Sequence, residues 1–176
     1  MGLNQKILVK LLQPTLGQAD TVLQGLKLAA IDLTEPITIF NIDTFRPRFT
    51  FPKQFDLNTI DGYLEVFRGT GTNWSYVQPL SIKTFEVAKT IEKIPISDLC
   101  STGLYYFREA NLFLNAFNIE LKKGREKELF IAPIYNHLIK AGAKIFYHEI
   151  QKTEVSFCGT PNEYQMLKEN NGKLYD

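Results

Sequence analysis

The apolar run from Ile37 to Phe45, ITIFNIDTF, is interrupted by the carboxylate of Asp43. Such a run reads as a fully buried strand over Ile37–Ile42, and ligands of open α/β sheets bind at the carboxyl ends of strands. A buried strand does not tolerate an unpaired charge, so Asp43 either stands at the strand mouth in water or holds a partner. A divalent cation is one such partner, because hard cations take carboxylate oxygens and bridge to phosphates. The alternative is an Asp that ends the strand and caps a turn. A second group, Glu92-Lys93, closes the strand-like run Phe85–Ile91. An adjacent acid and base at a strand mouth can hold a sugar hydroxyl and a phosphate, or can simply be an exposed pair.

Two glycines complete the set. Gly17, in Leu16-Gly17-Gln18-Ala19-Asp20-Thr21, joins a strand-like run to a helical one. It either lets a ligand approach the backbone beside a helix amino terminus or is a plain connector. Gly103 lies inside the strand-like Gly103–Phe107, where glycine marks a close approach; Tyr105 and its aromatic neighbours there read equally well as core.

Other chemistry is set aside. Arg68-Gly69-Thr70-Gly71-Thr72-Asn73 has the look of a phosphate loop, but a strand-like Trp74-Ser75-Tyr76-Val77 comes after it instead of a helix. His137 and His148 have no Cys or Ser at a spacing that suggests a nucleophilic triad. Two distant cysteines, Cys100 and Cys158, make neither a zinc site nor a disulfide scaffold and read as reduced thiols of a cytoplasmic protein. A formal charge of +1 gives no basic footprint for nucleic acid, and Leu121-Lys122-Lys123-Gly124-Arg125 reads as a solvated loop. No apolar stretch is long enough for a signal peptide or a membrane span, and Lys6 breaks the myristoylation pattern after Met1-Gly2.

The elements that must position these residues alternate. Strands are expected at Ile7–Leu12, Ile37–Ile42, Gly62–Phe67, Tyr76–Leu80, Phe85–Ile91, Gly103–Phe107, Ile145–Ile150 and Val155–Cys158. Helical periodicity covers Thr21–Ile31, Asn111–Leu121 and Glu128–Ala141, the last stopping at Gly142. Thr160-Pro161-Asn162-Glu163 has the cap, first-turn proline and acidic third position of a helix start. Ile7–Leu12, Thr21–Ile31 and Ile37–Ile42 read as a βαβ unit that brings Gly17 and Asp43 to one sheet edge. The fold class is α/β: a mixed sheet flanked by helices with a β-rich insertion, in one domain. At 176 residues such a domain buries about 70% of its unfolded surface.

Gly17-Gln18-Ala19-Asp20-Thr21, Asn41-Ile42-Asp43, Trp74-Ser75-Tyr76-Val77, Glu92-Lys93 with Ile96-Ser97, Gly103-Leu104-Tyr105-Tyr106-Phe107, Phe130-Ile131-Ala132-Pro133-Ile134-Tyr135-Asn136 and Gly159-Thr160-Pro161 succeed one another in an order that resembles the sugar-phosphate nucleotidyltransferases. The likeness is to the small bacterial members of capsular and surface-polysaccharide gene clusters. It implies a Rossmann-like, glycosyltransferase-A-like fold. It also implies transfer of a nucleotidyl group from a nucleoside triphosphate to a sugar or polyol phosphate, with release of pyrophosphate. By position Gly17 would lie against the nucleobase and Asp43 would bind Mg²⁺. Glu92 would hold sugar hydroxyls, Lys93 the sugar phosphate, and Gly103 and Tyr105 would line the sugar pocket. Asp43 and Lys93 would carry the catalysis.

The sequence departs from the family in two places. The Gly-rich, basic loop after the family's first strand has no counterpart, so residues 1–176 correspond to the carboxyl-terminal two thirds of the catalytic domain. Many members carry a second metal-binding Asp two residues before Gly-Thr-Pro, where this chain has Phe157. Glu154, three residues earlier, falls on the opposite face of a strand and does not replace it. A missing first strand would leave a sheet edge that invites a second copy or a partner chain. A catalytically silent sugar-phosphate-binding or assembly module is therefore the alternative expectation.

Overall fold

A computed structural model describes residues 7–124 and 128–169; the first six residues and Arg125 of the basic loop lie outside them. Helix α1 spans Gln18–Leu28 and is followed by β1 (Ile37–Phe40), β2 (Thr44–Phe45), β3 (Gly62–Arg68), β4 (Ser75–Ser81), β5 (Glu86–Glu92) and β6 (Leu99–Phe107). Then come α2 (Ala110–Leu121), α3 (Tyr135–Lys140), β7 (Ile145–Glu149), β8 (Ser156–Phe157) and α4 (Pro161–Glu169). Six strands form one sheet in the order β1-β6-β3-β7-β5-β4, with β3 and β7 parallel and the other pairs antiparallel. The β4–β5 hairpin touches the sheet at both ends, through Glu86 opposite Phe146 and Tyr76 opposite Cys100. The expected α/β architecture with a β-rich middle is present.

Strand β6 is the spine. All nine of its residues are buried, because it lies between β1 and β3 and is covered on both faces. On one face Phe107 stacks on Tyr135 with ring centroids 4.5 Å apart, above Phe113 and Phe117 of α2. On the other, Tyr106 stacks on Tyr63 at 5.2 Å among Ile60, Phe49 and Phe55. The Tyr135 hydroxyl donates to the Tyr106 carbonyl at 2.8 Å, tying α3 to the sheet.

Some expected elements form differently. Residues 7–11 carry no regular structure, and Ile7, Leu8 and Leu12 are exposed, so the expected strand Ile7–Leu12 and its βαβ unit are absent. Apolar composition alone does not make a strand; its backbone groups need a neighbouring strand, and none runs beside this segment among the described residues. The Ile37–Ile42 strand is not fully buried either: β1 is an edge strand paired antiparallel to β6, with Ile39 inside and Ile42 99% exposed. The expected helix Glu128–Ala141 shrinks to a 3₁₀ turn at Ala132–Ile134 and six residues of α3. The Leu129 N–H donates to Leu16 O (2.8 Å) and its carbonyl accepts from Ala19 N–H (2.9 Å), so that backbone is committed to the entry of α1. Pro133 tolerates only the first turn of a helix, so helical structure begins beside it and not five residues earlier.

The caps read from sequence are present. Gly142 adopts φ +85°, and the Ala143 N–H reaches back to Leu138 O at 3.0 Å, closing α3 in the left-handed manner. Thr160 N–H donates to Glu163 Oε2 at 2.9 Å, and Glu163 N–H to Thr160 Oγ1 at 3.3 Å, a reciprocal capping box at the start of α4. Among the described residues no helix is long and apolar enough to cross a membrane.

Candidate active site

A cavity of about 840 Å³ opens where α1 begins, β1 and β5 end, and β8 leads into α4. Asp43, Glu92, Lys93, Gly103 and Tyr105 all line it. Five of the six residues singled out from the sequence thus converge, although they come from separate parts of the chain. Gly17 does not line it. An added Cβ there would come 2.7 Å from Leu129 N, and φ is +126°, so this glycine serves the junction between α1 and the Leu129 segment. Its neighbours Gln18 and Thr21 face the cavity instead.

Gln18 Nε2 donates to Asn41 Oδ1, and the Asn41 amide lies against Gly103. A Cβ on Gly103 would stand 2.5 Å from Asn41 Nδ2, and its φ of +88° is one that other residues rarely adopt. The close approach that the glycine signals is therefore to the Asn41 side chain. This contact joins α1, β1 and β6 and delivers the adjacency of the Gly17 and Asp43 loops without a βαβ crossover. Asp43 sits in the turn after β1, exposed, with Oδ2 facing Gly159 and its carbonyl accepting the Cys158 N–H at 2.8 Å. It is thus a turn residue that lines the cavity with its carboxylate beside Gly159.

Elsewhere in the lining, Ser75 Oγ donates to Glu92 Oε2, a cross-strand pair set by the register of the β4–β5 hairpin. Burial pushes the Glu92 carboxyl up, opposed by the Ser75 hydrogen bond and Lys93, while Glu128 adds to the rise. Lys93 adopts φ +58°, a left-handed conformation costing about 1–2 kcal/mol for a residue with a Cβ. Its Nζ stands 4.6 Å from the centre of the Phe130 ring, which turns the ammonium over the cavity wall. Tyr105 is buried and its phenol is pushed up by burial, with Ser101 and Ser75 pulling the other way. Sequence reasoning did not assign Gln18, Asn41, Ser75 or Phe130; the Ser75–Glu92 pairing rests on a β4–β5 register with irregularities at Gln78/Pro79 and Pro79/Ser81, which the sequence does not reveal.

A raised carboxyl favours the protonated form in the fold. Below the unfolded value of 4.5 the Glu92 contribution is fully present, and it is lost as pH rises through the folded value. We expect Glu92→Gln to raise the melting temperature, with the gap over wild type widening as pH climbs from 4.5 towards neutrality. Calorimetric scans of both proteins across that range check it.

Comparison with solved structures decides the family. A nucleoside-diphosphate-sugar pyrophosphorylase from Vibrio cholerae RC9 is 46% identical with a TM-score of 0.82, over 90% of this chain and 67% of that one. The chain belongs to the sugar-phosphate nucleotidyltransferases. An inositol-1-phosphate CTP transferase from T. maritima (10% identical, TM-score 0.59, 90% of this chain and 64% of that one) shares the fold. So does a putative glucose-1-phosphate thymidylyltransferase from Bacillus anthracis in complex with a sucrose (18%, TM-score 0.66, 93% and 63%). The chain thus spans about two thirds of the length of these proteins. No family model and no curated protein matches it.

Within this nucleotidyltransferase the position expected to hold a second carboxylate is aromatic. Phe157 packs against Trp74, with centroids 4.6 Å apart, and against Phe67 at 5.2 Å, forming one wall of the cavity. Glu154 is turned away in a short 3₁₀ turn, where its carboxylate accepts the Gln151 N–H at 2.9 Å. Among the described residues no three of His, Cys, Asp and Glu gather as a metal cage. The donor set still suits magnesium, which is commonly bound through one or two carboxylates and completed by water and substrate phosphates.

Proposed function

We propose that this nucleotidyltransferase transfers a nucleotidyl group from a nucleoside triphosphate to a sugar or polyol phosphate, releasing pyrophosphate, in surface-polysaccharide biosynthesis. The observation that carries the reading is the convergence of Asp43 and the Glu92–Lys93 pair, from separate parts of the chain, on the lining of one cavity. Its volume, about 840 Å³, suits a ligand the size of a nucleotide sugar. The related Vibrio cholerae pyrophosphorylase supports the reaction class. In this reading residues 1–176 make one domain matching the carboxyl-terminal two thirds of the catalytic domain. The unpaired thiols of Cys100 and Cys158 suit a cytoplasmic location.

Each residue has a role that its surroundings support. Asp43 is the ligand for Mg²⁺, which when bound would neutralise phosphate charge. Lys93 holds the sugar phosphate and opposes the charge that grows during attack on the α-phosphorus. Glu92, fixed by Ser75, accepts hydrogen bonds from sugar hydroxyls, with Gly103 and Tyr105 forming the floor. Gly17 shapes the start of α1, and the nucleobase would lie beside its neighbours Gln18 and Thr21, which line the cavity. The chemistry needs positioning and charge neutralisation more than a covalent nucleophile.

Titration of the chain with nucleoside triphosphates and sugar phosphates, with and without Mg²⁺, tests the proposal. We expect metal-dependent triphosphate binding that Asp43→Ala abolishes, and sugar-phosphate binding that Lys93→Ala weakens. An assay of pyrophosphate release then reports the reaction itself. Phe157 in place of a carboxylate favours a second reading, a silent binding module: sugar-phosphate binding without metal-dependent triphosphate binding would select it. Binding of neither ligand would sink both.

A further inference from the structure

The loop that carries Asp43 has little of its own to hold it. Strands β2 and β8 pair over only two residues each, Thr44 opposite Phe157 and Phe45 opposite Ser156. So short a ladder does not fix its own register, and a slip of one residue would turn every side chain to the other face. Yet this ladder sets Asp43 against Gly159, where an added Cβ would stand 2.7 Å from Asp43 Oδ2.

What pins it is a buried ion pair beside the cavity. The side chains of Arg46 and Glu65 are 3% and 0% exposed. Arg46 Nε donates to Glu65 Oε1 at 3.0 Å, and Nη2 to Oε2 at 3.1 Å. Its remaining Nη1 donates to the carbonyl of Glu154 at 3.0 Å, just before β8. Glu65 Oε1 also accepts from Thr102 Oγ1 at 3.0 Å, next to Gly103 in β6. One carboxylate in the centre of the sheet therefore fixes one guanidinium. That guanidinium ties the end of β2 to the start of β8 and both to β6.

Energetics speaks against stability as the reason for the pair. Burying two charges costs about as much as their attraction returns, and apolar residues of similar volume often serve a core equally well. What apolar residues lack is a donor for the Glu154 carbonyl. We propose that Arg46, oriented by Glu65, is a positioning residue: it holds the Asp43 turn and the Phe157–Thr160 turn in one register, so that the Asp43 carboxylate faces the cavity. The consequence for metal binding rests on the function proposed above; the positioning itself does not.

Amide hydrogen exchange reads the positioning directly, because the Cys158 N–H is bonded to the Asp43 carbonyl. In the double variant Arg46→Met/Glu65→Leu we expect the Cys158 amide to exchange at least about tenfold faster, while amides of β3 and β6 keep their protection. Unchanged exchange at Cys158 would overturn the proposal, as would a uniform increase across the sheet. Arg46→Lys keeps the charge but loses the planar fork, and should move the same amide in the same direction, so the proposal stays testable if the double variant does not fold.

A second readout is manganese(II) titration in the presence of a nucleoside triphosphate, followed by water proton relaxation. Loss of a residue that orients a metal ligand weakens metal binding by about 10–100-fold, and we expect that here. The same change made in Asp43→Ala should add nothing. Wild-type binding that the double variant leaves intact would overturn the proposal. Wild type that binds no manganese through Asp43 would sink the functional reading, and the exchange result would still decide for or against Arg46.

Discussion

Glu65→Ala lowers the stability of the fold by about 3–5 kcal/mol, the largest loss we expect from a single polar substitution in the sheet. It leaves the Arg46 guanidinium, its side chain 3% exposed in wild type, without the acceptors that Nε and Nη2 have among the described residues. The Thr102 hydroxyl loses its carboxylate acceptor at the same time and keeps only the longer bond to the Glu65 carbonyl at 3.4 Å. The cost is that of a buried charge left with only the Glu154 carbonyl at 3.0 Å and the half-exposed Glu154 carboxylate at 3.7 Å, not of the lost pair itself. Removing both partners together, as in Arg46→Met/Glu65→Leu, should restore most of the loss. Urea titrations of wild type, single and double variants measure both numbers; a Glu65→Ala protein within about 1 kcal/mol of wild type would show that water reaches Arg46 and that the pair is not dry.

If the proposed function holds, we expect Gly159→Ala to remove metal-dependent triphosphate binding as fully as Asp43→Ala while leaving the fold nearly as stable as wild type. A Cβ at this position would stand 2.7 Å from Asp43 Oδ2, with Glu163 Oε2 at 3.9 Å as the next polar neighbour. The atom in the way is the free end of a side chain, so the carboxylate swings aside at little cost to the core. It also leaves the orientation in which it faces the cavity. The substitution is therefore a steric probe of one carboxylate. Calorimetry with Mg²⁺ and a triphosphate, beside a melting curve of the same protein, gives both halves. Binding that survives Gly159→Ala but not Asp43→Ala would mean the carboxylate works from its displaced position.

The elements that were legible in sequence are those whose signal is local. The capping box at Thr160, the left-handed Gly142 and the β4–β5 hairpin depend on neighbours a few residues away. The failures needed distant information. Ile7–Leu12 has strand composition but no strand beside it among the described residues, and Leu129 gives both its backbone groups to Leu16 and Ala19, overriding a helical pattern. Within the site, Asp43 stands out as a charge near the end of an apolar run, and Glu92 and Lys93 as an acid and a base at the end of a strand-like one. Gly103 was recognisable as a close approach, but only the fold shows that Asn41 makes it. Glu65 reads as an ordinary member of Gly62–Arg68 because Arg46 lies on a different element.

The strand order has a consequence for how the chain is made. Strand β3 finds its parallel neighbour only when Ile145–Glu149 is available, and β1 waits for the far end of β6. During synthesis at about 5–20 residues per second, the early strands therefore spend several seconds outside the ribosome without their final partners. Tyr63 and Phe67 of β3, both fully buried at the end, lack part of their cover for that interval, since Phe146 and Phe157 have still to be made. Long-range pairing of this kind is slow and exposes strand edges to other chains. Yield of the native protein should accordingly depend on chaperone supply and on growth temperature more than its finished stability would suggest.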